Sequence, residues 1–125
     1  VYSGLNRPNG LAFSPDESIL YLANSDPKKN LWKSFSINNG ELENEKIFFD
    51  ATGRKGKGLA DGLKVHSKGY VFATGPGGVL VFTPEGKHLG TIKTTVATAN
   101  CAFNADESAL YMTSDSYLTR IQIKN

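Results

Sequence analysis

The chain is short of cysteine, of net charge and of long apolar runs, and each shortage removes a class of function. A single cysteine among 125 residues, Cys101, cannot close an internal disulfide. Set beside Ala102 and Phe103, it reads as a small buried filler rather than a reactive thiol. Fourteen Lys and Arg against twelve Asp and Glu leave a formal charge of +2, and the cations fall singly or in short groups such as Lys28-Lys29 and Arg54-Lys55-Gly56-Lys57. Without a basic stripe interleaved with aromatics, no nucleic-acid partner is expected. No apolar run approaches the ~20 residues of a membrane span, so no membrane partner is expected either. The sequence has no Gly-x-Ser-x-Gly elbow, and its two histidines, His66 and His88, are expected in exposed turns, which argues against a Ser/His/Asp hydrolase. With one cysteine and two separated histidines, a thiolate- or imidazole-bound zinc site is excluded on the same grounds. No signal-peptide pattern is present, but the chain opens on Val1 rather than methionine. The expectation is therefore that a region able to carry a targeting signal is missing, and localisation is left unknown.

What the sequence does contain is a repeat. Ala12 to Leu22 recurs as Ala102 to Met112, ninety positions on, and Asp61 to His66 aligns with Asn9 to Ser14. In each copy a short apolar run enters turn chemistry, such as Ser14-Pro15-Asp16-Glu17-Ser18, and a second β-rich run follows. Copies of roughly 40 to 50 residues with several short strands each are the mark of a β-propeller, one four-stranded antiparallel blade per copy. Alternation and turn residues place strands near 10–14, 19–24, 31–37 and 44–50, then 62–66, 70–74, 78–83 and 88–93, then 100–104, 109–114 and 117–123. The stretch Glu41 to Lys46 is too short for a helix between strands that must pair. The expected fold is all-β: one partial β-propeller domain over 1–125, with blades at about 8–50, 61–93 and 99–123, the last lacking its fourth strand. Since propellers close at four to eight blades, closure requires further chain or pairing of open edges between copies.

Alternating strand direction sorts the polar residues onto two rims. Asn9, Asp61 and Asn100, which precede or open the innermost strands, share one rim with Asn24, Ser25, Thr74 and Ser114 and with the loop 51–60. Asn9 and Asp61 occupy equivalent places in neighbouring blades, and their carboxamide and carboxylate oxygens suit a hard cation such as Ca²⁺ or Mg²⁺. By spacing alone, Asn9-Gly10 and Asp61-Gly62 serve equally well as turn dipeptides entering a strand.

At these residues the sequence resembles the SMP-30/gluconolactonase/LRE-like family of six-bladed propellers. The matching stretches are Arg7 to Asp16, Ala60 to Val65, Gly78 to Lys87 and Thr98 to Phe103. The resemblance implies that this chain is the C-terminal half of such a propeller and that Asn9 and Asp61 are ligands of a divalent cation, Ca²⁺ first, with Mg²⁺ or Zn²⁺ as substitutes. It further implies that Asp61 is the general base of a metal-dependent hydrolase acting on a sugar lactone or similar cyclic ester. Asn24 and Asn100 are weaker candidates for substrate contact, Asn100 because it lies one residue closer to its Phe than Asn9 does. The family's acidic ligand and its substrate-contacting arginine and asparagine have no counterpart here, so this half alone is expected to be inactive. The expected partners are the lactone and the missing N-terminal half, or a second copy through open edges. The alternatives are a non-catalytic, cation-binding propeller that holds a ligand or a protein, and a hydrolase of phosphotriesters or other esters.

Overall fold

A computed structural model describes residues 1–124 and shows eleven strands with no helix among them. The first sheet holds β1 (Pro8–Phe13), β2 (Ile19–Asp26), β3 (Lys29–Asn38) and β4 (Glu41–Asp50). The second holds β5 (Leu63–Val65), β6 (Val71–Gly75), β7 (Gly78–Phe82) and β8 (His88–Lys93), and the third β9 (Thr98–Phe103), β10 (Ala109–Ser114) and β11 (Tyr117–Gln122). Every neighbouring pair is antiparallel and follows chain order, in sheets of four, four and three strands. This is an unclosed β-propeller, as the repeat requires. The stretch from Glu41 to Lys46 is the start of β4, which the turn Asn39 (φ 51°) and Gly40 (φ 80°) folds tightly against β3.

Stacking of the sheets explains the sequence pattern. The middle sheet is covered on both faces, so all five residues of β6 are buried instead of alternating. Val71 and Ala73 face the first sheet, in a cluster with Tyr21, Trp32, Phe48 and Phe82. Phe72 faces the third sheet, with Cys101, Leu110 and Met112. Trp32 is fully buried, edge-on to Phe82 at 5.5 Å, and lies against Gly75, where a side chain would collide with its ring. Truncating such a residue to alanine costs about 3–5 kcal/mol.

The first turn of each sheet repeats one design. Asp16 Oδ1 accepts from Ser14 Oγ, Ser18 N and Ser18 Oγ, and Asp106 Oδ1 accepts from Ser108 N and Oγ. These bonds hold the Asp16 carboxyl down at about 2. Glu17 (φ 60°) and Glu107 (φ 57°) take the left-handed corner that Gly69 (φ 92°) fills in the middle sheet. His66 departs from expectation. Instead of standing in an exposed turn it is buried, 5.5 Å from the Phe103 ring and with Nε2 3.2 Å from Glu107 Oε2. Lys68 N donates to its Nδ1, so Nε2 carries the proton toward Glu107. Glu107 also accepts from Ser67, clasping the second sheet to the third.

Candidate active site at the inner rim

The innermost strands β1, β5 and β9 start at one rim and bring three polar residues close together. Gly10 packs against the Asp61 carbonyl so tightly that no Cβ would fit, and Gly62 packs in the same way under the Asn100 carboxamide and the Ala99 carbonyl. These glycines allow close approach of backbones rather than an unusual φ. Gly62 N also donates to Ala99 O at 2.9 Å. Asn9, Asp61 and Asn100 therefore follow one another around the rim, in chain order.

Hydroxyl groups at the ends of the second strands fix this spacing. Ser25 Oγ donates to Ala60 O, immediately before Asp61, and accepts from Asn9 Nδ2 at 3.1 Å. Thr74 Oγ1, fully buried, donates to Gly62 O at 2.8 Å and lies 3.2 Å from Ala99 O, immediately before Asn100. In both cases a hydroxyl from one sheet holds the carbonyl that precedes the rim residue of the next. With Nδ2 committed to Ser25, the Asn9 carboxamide oxygen turns away from Ser25. The sequence signal for this device was the recurrence of Ser or Thr at positions 25, 74 and 114.

Asp61 is half-buried, and desolvation raises its carboxyl above the ordinary carboxylate range, offset in part by the Gly62 amide. No side chain among the described residues donates to its carboxylate or pairs with it. A half-enclosed carboxylate with no side-chain partner among the described residues, next to a carboxamide whose nitrogen is tied back, is the oxygen-donor chemistry a hard cation takes. The fit is partial, however. Among the described residues no three His, Cys, Asp or Glu side chains converge as a metal cage, so Asn9 and Asp61 could supply two donors of a larger set.

The other candidates sit differently. Asn24 is fully buried, its Nδ2 donating to Asn6 Oδ1 and Lys29 O while its Oδ1 accepts from Arg7 N. Its amide is consumed by the fold. Asn100 pairs with Thr113, one step beyond the register of Asn9, so it aligns with Gly10 and Gly62 rather than with Asn9 and Asp61. Asn100 Oδ1 accepts from Cys101 N at 2.9 Å and has Lys64 Nζ 3.5 Å away. Lys64 is a rim cation that sequence reasoning passed over. Inner strands β1 and β9 each carry a bulge at the rim end, a feature that re-aims side chains beside sites.

A family model described as the SMP-30/Gluconolactonase/LRE-like region matches residues 1–116. The chain belongs to that family. A gluconolactonase of Zymomonas mobilis is 36% identical over 99% of this chain and 37% of its own length, and a lactonohydrolase of Aspergillus oryzae 30% identical over 82% and 27%. The chain thus spans about a third of the curated relatives it matches. Among solved structures, a gluconolactonase from Xanthomonas campestris superposes with a TM-score of 0.79 at 33% identity, covering 90% of this chain and 36% of that one. The calcium-binding protein regucalcin of Agrobacterium tumefaciens superposes with a TM-score of 0.75 at 26% identity, covering 92% and 40%.

Proposed function

We propose that this chain is the C-terminal half of a lactone hydrolase of the gluconolactonase type, with Asp61 as general base and Asn9 and Asp61 among the ligands of a divalent cation, Ca²⁺ first. The observation that carries the reading is the placement of Asn9 and Asp61 on neighbouring inner strands, tied by the Asn9–Ser25–Ala60 hydrogen bonds, with no described side chain partnering the Asp61 carboxylate. Solved relatives named for gluconolactonase activity and for calcium binding support it.

In the reaction, a water gives a proton to Asp61 as its oxygen bonds to the lactone carbonyl carbon. The ring C–O bond then breaks, and the departing alkoxide takes the proton back from Asp61, leaving a hydroxy acid. Burial raises the proton affinity of Asp61 and so suits it to the base role. A cation bound at this rim supplies Lewis-acid polarisation of the carbonyl, and it also draws the Asp61 affinity downward. Asn9, oriented by Ser25, holds its oxygen at the rim without titrating.

The test is proton release from glucono-δ-lactone by the intact protein with and without Ca²⁺, for wild type and Asp61→Asn. The expected result is a loss of kcat of about 10²-fold or more for the variant, the scale of a general base. Wild-type protein that binds Ca²⁺ yet leaves the lactone untouched would favour the non-catalytic binding propeller.

A further inference from the structure

A second concavity lies apart from Asn9 and Asp61. It measures about 460 Å³ and is framed by the loop at Arg54 to Lys57, the β6–β7 turn at Pro76 and Gly77, the β8 residues Thr91 and Lys93, and Thr95 and Val96 beyond them. Four cations line it, Arg54, Lys55, Lys57 and Lys93, with no carboxylate among the lining residues. In a chain whose whole formal charge is +2, this is a local concentration of positive charge.

The wall is built rather than loose. Gly77 N donates to Lys57 O at 2.9 Å, and Gly56 lies so close over Gly77 that a side chain there would strike its backbone. The Arg54 guanidinium sits over the Phe49 ring at 5.9 Å, with Nη2 3.4 Å from His88 Nδ1. Arginine only donates, so His88 Nδ1 accepts and the ring proton resides on Nε2. That nitrogen lies 3.1 Å from Thr91 Oγ1 and donates to it, while the Thr91 methyl group is the part that stands beside Gly77 in the wall. The Thr95 hydroxyl is spent on Thr94 O. The lining side chains thus carry three ammonium groups and one guanidinium whose Nη2 is engaged by His88.

We infer that this concavity binds a phosphate monoester of monosaccharide size. Its volume falls within the roughly 300–1,000 Å³ of small-molecule sites, and it is recessed between loop and turn rather than flat. A phosphate monoester carries a charge of about −1.5 to −2 and three acceptor oxygens, which match several cations where a carboxylate offers one charge and two oxygens. The assignment is independent of the lactone reading, because none of these groups is a residue that reading uses.

The experiment is calorimetric titration of the intact protein at low ionic strength with glucose 6-phosphate, inorganic phosphate, glucose, gluconate and a glutamate-rich peptide. Glucose 6-phosphate is expected to bind, inorganic phosphate to bind more weakly, and glucose and gluconate to give no heat of binding. Lys93→Gln should weaken glucose 6-phosphate by about tenfold or more, the scale of one charge-assisted hydrogen bond. The variant should keep the wild-type melting temperature and lactone turnover. The inference is overturned by absence of glucose 6-phosphate binding, by gluconate binding as tightly, by inorganic phosphate binding as tightly, or by unchanged affinity in folded Lys93→Gln. Binding of the acidic peptide in place of glucose 6-phosphate would reassign the surface to a protein segment and equally overturn it.

Discussion

At the scale of single residues, what matters is which polar groups the fold leaves unsatisfied. Asp61 is held half-buried with no donor side chain, whereas Asp16 and Asp106, fully exposed, are surrounded by serine donors that lower their carboxyls. The same side-chain type therefore caps a turn in two places and stays chemically available in a third. Cys101 gives a check on burial that is independent of the site. Its thiol is pushed up to about 11 by desolvation, so iodoacetamide should label the native protein very slowly at neutral pH and faster as pH approaches 11. Because the raised thiol makes the folded state hold its proton longer than the unfolded one, stability should fall as pH rises from 9 toward 11. Rapid labelling of folded protein at pH 7 would contradict that packing. Asn9 and Asp61 were legible because each opens a repeat with a glycine behind it. His66 was not, because burial of an imidazole depends on Phe72, Phe103 and Glu107, which arrive from two different strands and a turn.

At the scale of elements, the inner strands act as a register device. Gly10 would drive a Cβ into the Asp61 carbonyl, a backbone atom that no rotamer change can move, whereas at Gly62 the backbone atom in reach, Ala99 O, stands at 2.9 Å and the closer obstacle is the flexible end of Asn100. Gly10→Ala should therefore cost more than Gly62→Ala, near the top of the ~1–3 kcal/mol typical of overpacking, as read from urea midpoints. Equal midpoints for the two variants would mean that the inner strands are not pressed together at the rim. Strand positions followed from turn residues and alternation, because two-residue and Asx-type turns are local chemistry. The hydroxyl links from Ser25 and Thr74 to the next sheet were not legible, since they join residues 35 and 25 positions apart. Asn100 shows the limit of motif matching. One residue of difference in spacing, absorbed by a bulge, moves it onto the glycine register.

At the scale of the molecule, three sheets stack face to face and two faces remain uncovered. Leu11 and Phe13 on β1 are 58% and 48% exposed on the face turned away from the second sheet, and on the outer face of the third sheet Tyr111 of β10 and Leu118 of β11 are 38% and 74% exposed. β11 is also an unpaired outer edge in a sheet of three. Expressed alone, the 125-residue chain should show dimers or larger species by light scattering, and a clean monomer at high concentration would contradict the idea that these faces need cover. The overall fold was legible because a repeat declares its own architecture. The central claim, that Asn9 and Asp61 share a cation at the inner rim, is tested most directly by thermal unfolding of the intact protein titrated with Ca²⁺. The account predicts that wild type gains about 2.7 kcal/mol at a hundredfold excess over Kd and that Asp61→Ala and Asn9→Ala lose most or all of the gain. A rise in melting temperature that survives intact in both variants would contradict it.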